Sequence, residues 1–342
     1  MSLSCDSSAG WRTLFAQSRP KCHSEEAFRS ACVPFSLPQN DGAHQARRSW
    51  SISGILYLGA YGCALRLMVK YTHSMPSISI ITFNCFGTPT PRTQRRLLTL
   101  ADALNKSAAD IVCLQEVQAH VYRRLFVRAC HTFPFTAAER FIHAPKGGLL
   151  TLSRLPIARS DYTLYRNRGN IHTPALADWI LHKGVLRVAT EAHGQRVIML
   201  NTHLSANYRG DWQAENRYVR EERGQLQQLA EIVTAQDAGA IVLVAGDFNV
   251  PRGSALFQKF LQASGLVDPL AGDTRPTYRR MPGMPARFAM PIDFALVRAP
   301  RLPGLHLACD FRFANQVSLP GGVQSYLSDH IGLELTVTWG ES

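Results

Sequence analysis

A chain of 342 residues that is 46% hydrophobic, with a mean hydropathy of −0.09, can bury a large core but has no apolar run of the 18 residues that a membrane-spanning helix requires. The formal charge is +12, of which residues 1–75 supply +4 and the remainder +8, a balance that suits a polyanionic partner, either nucleic acid or an anionic lipid surface. The eight cysteines, from Cys5 to Cys309, form no CxxC pair and no zinc-like spacing, which points to free thiols and favours a reducing, cytoplasmic compartment over a disulfide framework.

Residues 1–50 are rich in Ser, Pro, Gln and Arg and lack periodicity, so a poorly ordered N-terminal extension is expected over 1–75. Within it, Ile52 to Leu65 is apolar and follows Arg47-Arg48. It is short and misplaced for a signal segment; membrane association through residues 52–65 and an upstream extension before a start at Met68 or Met75 are the two alternatives.

Regular patterning begins after Met75. Ile78 to Asn84 alternates as a strand, Thr93 to Lys106 carries Leu97, Leu100, Ala101 and Leu104 at helical spacing, and Asp110 to Glu116 is a second strand. A helix over Val117 to Cys130 and a short strand at Gly148 to Ser153 follow, and Tyr162 to Trp179 reads as loop. Val185 to Ala192 and Arg196 to His203 form a predicted hairpin about His193-Gly194-Gln195. A long helix, Glu215 to Ala235, precedes the strand ending at Asp247. A short helix at Ser254 to Ala263, a Pro- and Arg-rich loop at Arg275 to Arg287, and strands at Pro291 to Val297, Leu305 to Phe313 and Ile331 to Thr338 complete the chain. No boundary is visible after Met75, so residues 76–342 are expected to be one catalytic domain.

The most informative stretch is Ala240 to Pro251. Its unbroken aliphatic run suits a strand covered on both faces, and it ends in Asp247 and Asn249, which the period of two places on one face. A strand-end Asx turn competes with a metal or phosphate site as the reason for that carboxylate. Taken singly, the other polar strand ends also have plain explanations: Asn84 as a turn residue, Glu116 as a solvated rim, His203 as a satisfied histidine, Asp293 as an edge charge. Six strands in succession ending or beginning in such residues make sense together only if they share one site at a sheet edge. Carboxylate and amide oxygens suit a hard cation, and the missing Cys/His spacing argues against zinc.

The motifs FNCFG with Asn84, LQE at 114–116, THLSANY from Thr202 to Tyr208, GDFN at 246–249, IDF at 292–294 and SDH at 328–330 resemble the endonuclease/exonuclease/phosphatase superfamily. Within it the likeness is to neutral sphingomyelinases, through Asn84-Cys-Phe-Gly87, Asp178-Trp179 with Lys183, and His203 to Tyr208. Phe86 and Phe294 stand where those proteins carry Trp and frequently Tyr.

The resemblance implies a DNase I-like α+β fold: a four-layer α/β/β/α sandwich. It further implies a metal-dependent phosphodiesterase in which Asn84, Glu116 and Asp329 hold Mg²⁺, with Mn²⁺ as a substitute. Asp247 and Asn249 then orient water and phosphate, and His330 is the general base aligned by Asp293. His203 donates to a phosphoryl oxygen or the leaving group, while Asp178 and Lys183 contact the substrate, the plain alternative for Lys183 being a solvated surface ion pair. A phospholipid head group is favoured over nucleic acid as substrate, with peripheral membrane contact. A DNase- or AP-endonuclease-like nuclease is the alternative, and a catalytically inactive binding module the third reading.

Overall fold

The computed structural model describes residues 14–18, 52–53, 56–57, 64–69, 75–167, 180–280 and 283–340. The chain divides into two compact units, Met1–Met75 and Pro76–Ser342. In the first, Ala64–Val69 pairs antiparallel with Leu14–Ser18 and with the two-residue strands Ile52–Ser53 and Leu56–Tyr57. The rest of residues 1–74, including most of the expected extension and of the apolar 52–65 segment, lies outside the described residues. Among the described residues no helix is long and apolar enough to cross a membrane.

Among its described residues the second unit holds two large sheets and four α-helices packed on them. One sheet is built from β1 (Ser77–Asn84), β2 (Ile111–Gln115), β3 (Phe135–Ala137), β4 (Leu150–Ser153), β10 (His306–Arg312) and β13 (Gly332–Thr338), in the order β10-β13-β1-β2-β4-β3. The other is β5 (Arg159–Leu164), β6 (Gly184–Ala192), β7 (Gln195–His203), β8 (Ile241–Asp247) and β9 (Asp293–Arg298), in the order β9-β8-β7-β6-β5. A two-stranded ribbon, β11 (Val317–Ser318) with β12 (Gln324–Ser325), stands apart.

Burial explains why these segments stack. Ile80, Cys113 and Leu335 from the first sheet interleave with Val188, Met199, Leu243 and Val297 from the second to make the central apolar layer. On the outer face of the first sheet, Phe83, Val112 and Leu150 meet Leu97 and Leu100 of α1 (Thr93–Asn105) and Phe126 of α2 (His120–Ala129). On the outer face of the second, Ile198, Leu200 and Val244 meet Leu226, Leu229 and Val233 of α3 (Arg217–Thr234) and Phe257 and Phe260 of α4 (Ala255–Ser264). The result is helix, sheet, sheet, helix: the four-layer sandwich expected, with β1 and β8 buried on both sides because they lie at the middle of the stack.

Two expectations need correction. The segment read as loop from Tyr162 begins inside β5, an edge strand whose residues are exposed or half-buried and so carry no apolar alternation. The hairpin connection expected over His193-Gly194-Gln195 is shorter by one residue: Gln195 already belongs to β7 and pairs with Ala192, leaving a two-residue turn with His193 and Gly194 both at positive φ (50° and 77°).

Candidate active site

Register places the site. His203, Asp247 and Asp293 are direct cross-strand neighbours on β7, β8 and β9, so one row of side chains crosses the end of the second sheet. Asn84 and Gln115 are neighbours at the matching end of the first sheet, and Glu116 follows at once. The two ends meet through Asn84, whose Nδ2 donates to Glu116 Oε1 and to Asp247 Oδ2, both at 3.0 Å. Below this contact Gln115 Nε2 donates to Asn201 Oδ1 at 2.9 Å, a buried amide pair that ties one sheet to the other.

Several backbones are bent to make this possible. Gly246 has φ 153°, and a Cβ there would lie 1.8 Å from the Thr202 carbonyl oxygen, so only glycine lets β8 approach β7 beside the row of His203, Asp247 and Asp293. Glu116 (φ 58°) and Asn249 (φ 55°) are left-handed, a strain that clusters at functional sites. Asn249 therefore does not share the strand face of Asp247, contrary to the period of two: β8 has ended. Asp247 does both things that competed for it, its Oδ1 accepting from Asn249 N at 3.0 Å in an Asx turn while Oδ2 faces the cavity.

His330 is fixed by a 2.9 Å bond from Nδ1 to Asp293 Oδ2, and its Nε2 lies 3.6 Å from Asp247 Oδ2. Burial works against an imidazolium here, but Asp293 and Asp247 outweigh it and hold the His330 pKa up to about 10. His203, 3.4 Å from the same Asp247 oxygen, goes the other way. Burial first, then Lys183 and His330, hold it well below the ordinary histidine value, so it is neutral. Burial pushes the Asp247 carboxyl up to about 7, with Asp293 adding to the effect, and burial likewise raises Glu116.

Lys183 is 2% exposed, which removes the surface ion-pair reading. Its Nζ donates to Leu204 O at 2.7 Å, and the same carbonyl accepts from Asn249 Nδ2 at 3.0 Å, so the ammonium and the amide are set side by side. Asp329 is half-buried and lines the cavity with Glu116. Asp178 lies outside the described residues.

The cavity these groups floor is about 510 Å³, and its walls are largely apolar: Phe86, Leu181, Tyr208, Trp212, Phe288 and Met290. Two donor sets for a cation face it. Glu116, Asp329, Asp247 and the Asn84 amide offer oxygen-rich coordination, with the Asn84 nitrogen set between the half-buried Glu116 carboxylate and the buried Asp247 carboxylate. That set fits a hard divalent ion. Asp247, Asp293 and His330 also place a ligand atom each within 4.8 Å of one another, but the Asp293–His330 bond already occupies that pair. Asn84 Oδ1 accepts from Phe86 N at 3.0 Å, so its amide nitrogen spaces the two carboxylates while its oxygen holds the loop.

Residues 81–330 match the Endonuclease/Exonuclease/phosphatase family. The chain belongs to that family. The E. coli K12 protein YbhP, itself uncharacterized, is 30% identical over 283 residues, covering 76% of this chain and 96% of its own. A Drosophila melanogaster protein named "Putative neutral sphingomyelinase" is 29% identical over 204 residues, 58% of this chain, and the chain spans about half, 45%, of that relative's length. Among solved structures, sphingomyelinase C from Streptomyces griseocarneus superposes with TM-score 0.60 at 21% identity over 76% of this chain and 99% of its own. D. rerio TDP2 with single-strand DNA product gives 0.58 at 18% identity over 77% and 99%. At such identities the two structures speak for the DNase I-like fold.

Four positioning residues went unread in the sequence. Thr277 is fully buried; its Oγ1 accepts from the Ile292 and Asp293 amides and its carbonyl from Ile331 N, so it ties Asp293 to the loop carrying His330. Arg96 donates to Leu327 O at 2.6 Å and Phe86 O at 2.7 Å. Arg279 donates to the carbonyls of Ser328 and His330. Arg252 pairs with Asp268 at 2.7 Å and donates to Asp293 O at 3.2 Å. No spacing rule distinguishes these arginines from solvated ones.

Proposed function

We propose that the protein is a Mg²⁺-dependent phosphodiesterase that hydrolyses a phospholipid head group in the manner of a neutral sphingomyelinase. The observation that carries this reading is the cavity itself: a charged floor of Glu116, Lys183, His203, Asp247, Asp329 and His330 beneath walls of Phe86, Leu181, Trp212 and Met290, which matches a substrate that is ionic at one end and apolar at the other.

Glu116 and Asp329 would hold the ion with Asn84 beside them, and Mn²⁺ suits the same oxygens. When bound, the ion supplies positive charge to a phosphoryl oxygen. The chain's own residues do the rest. Asp293 fixes the His330 ring through Nδ1 and turns Nε2 to the cavity; because Asp293 and Asp247 favour the imidazolium, it is the deprotonated fraction of His330 that takes the proton of the attacking water. Asp247 and Asn249, locked by their Asx turn, orient water and phosphate. Neutral His203 donates a hydrogen bond to a phosphoryl oxygen or the leaving group, and Lys183 adds a fixed positive charge to the cavity floor. Asp178 is proposed to position Lys183.

A nuclease is the second reading, favoured by the net charge of +8 after residue 75 and by the TDP2 likeness. A substrate panel separates them: sphingomyelin and lysophospholipid micelles, phosphoinositides, plasmid DNA and abasic duplex, each with Mg²⁺, using wild type, Glu116→Gln and His330→Ala. Lipid turnover lost in both variants is expected. Robust DNA cleavage without lipid turnover would overturn the substrate assignment, and silence on every substrate would favour a binding module.

A further inference from the structure

The two helical layers differ sharply in how their charges are met. On α3 the arginines are accounted for: Arg220 and Arg223 pair with Glu215, and Arg217 donates to the Tyr218 hydroxyl. On the opposite layer, Arg92, Arg95, Arg124 and Arg128 are all exposed, and none forms an ion pair among the described residues. The sequence explains it: residues 117–138 contain three arginines and no acidic residue.

On α2 aliphatic side chains are set among these charges instead of carboxylates, and α1 adds one exposed carboxylate, Asp102, a turn beyond Leu98. Val121 is 53% exposed and Val127 41%, and Leu98 of α1 is 38% exposed. Val121, Arg124 and Arg128 follow one another at i, i+3 and i+7, so they share a face of α2. The loop beside its first turn adds a further apolar tip: His120 N and Nε2 bond the carbonyls of His143 and Phe141, and between these stands Ile142, 85% exposed. The patch starts next to the cavity, whose wall includes Thr88 and Gln118 from the loops that lead into α1 and α2.

We infer that the α1–α2 face is a docking surface for an anionic lipid bilayer. Unpaired arginines are attracted to the surface potential of acidic head groups, each contributing a near-surface charge, and exposed valine, leucine and isoleucine gain by leaving water for the acyl boundary. A nucleic acid would satisfy the arginines but leave those aliphatic tips in water, since it is aromatic side chains that stack on bases. The inference borrows its biological sense from the proposed head-group hydrolysis, while its geometry stands without it.

The test uses the full chain and vesicles of phosphatidylcholine with and without phosphatidylserine, read by co-sedimentation. Wild type is expected to bind the acidic vesicles, less so as salt rises, and to bind pure phosphatidylcholine weakly. The pair Arg124→Gln/Arg128→Gln should weaken binding to acidic vesicles about thirtyfold, given the contribution of each near-surface charge. Val121→Ser should weaken it without changing the salt dependence. All three proteins should turn over the soluble diester bis(p-nitrophenyl) phosphate alike, and matching circular dichroism spectra exclude a folding defect. Wild-type vesicle binding by the arginine pair overturns the inference, as does an absence of wild-type binding. Arginine-dependent binding to duplex DNA in place of vesicles would assign the face to nucleic acid. Failure of the soluble-diester assay alone would refute the catalytic reading and leave the docking surface in place.

Discussion

Arg96 offers the sharpest test of how the site is held. It is 6% exposed, forms no ion pair among the described residues and spends its guanidinium on backbone carbonyls of two loops: Cys85 and Phe86 after β1, and Leu327 just before Ser328-Asp329-His330. Phe86 sits at φ 47°, and its N–H is the donor that orients the Asn84 amide. Replacing Arg96 by Met orphans the two closely bonded carbonyls, at about 1–3 kcal/mol each, while relieving the buried cation of its desolvation. The balance is a loss of roughly 2–4 kcal/mol, which for a unit of this size lowers the melting temperature by about 5–15 °C. With the Asn84 turn and the His330 loop no longer fixed to one another, a displacement on the order of 1 Å costs about a hundredfold in rate. Thermal melts and steady-state kinetics on a soluble phosphodiester measure both. kcat should fall with KM little changed, and Arg96→Lys should recover part of the stability through one carbonyl. Wild-type kcat in Arg96→Met, whatever its melting temperature, would show that the guanidinium does not position the site.

Glu222 is fully buried beneath the 205–216 loop, and burial raises its pKa well above the ordinary carboxylate value despite a bond from the Trp212 indole N–H. A raised carboxyl pKa means the folded state binds the proton more tightly, so this group's penalty is absent below the unfolded value near 4.5 and grows as pH rises toward the folded one. Glu222→Gln should therefore melt higher than wild type at pH 8 and level with it at pH 4; a stability difference independent of pH would contradict this. Lys183→Met should reduce turnover about ten- to a hundredfold, the value of a charge-assisted bond of roughly 1.5–3 kcal/mol, with equal small losses on lipid and DNA as the adverse result. A chain beginning at Met75 should fold cooperatively and keep activity, since every cavity residue lies beyond it; loss of soluble protein on truncation would show that the first unit supports the second.

Where the sequence was legible, the physics was local. β8 is buried on both faces and so appears as an unbroken aliphatic run, and the 193–194 turn advertises its hairpin by residue type. His203, Asp247 and Asp293 were legible because each is polar at the end of an apolar strand. What escaped is long-range or irregular. β5 is an edge strand with no apolar face, β3 has three residues, and Asn249 leaves the strand pattern by turning left-handed. Thr277 and the carbonyl-bound arginines act on backbone atoms hundreds of residues away in sequence or in an unrelated loop, and backbone acceptors leave no residue code to match. Nor could the sequence pair Asn84 with Asp247, a contact that exists only once two separate sheets have stacked.

The order of strands bears on when the protein becomes active. The second sheet is one continuous stretch, β5 to β9, but the first is assembled from both ends of the unit, with β13 inserted between β10 and β1 so that Leu333 faces Thr82. His330 lies in the connection into that last strand. During synthesis Asn84, Glu116, His203, Asp247 and Asp293 are all made before Asp329 and His330, and closing a loop of about 250 residues is entropically slow relative to hairpin pairing. Under the proposed phosphodiesterase reading, a nascent chain therefore carries an incomplete site until its final strand is docked, and the gain of hydrolysis would report completion of the fold itself.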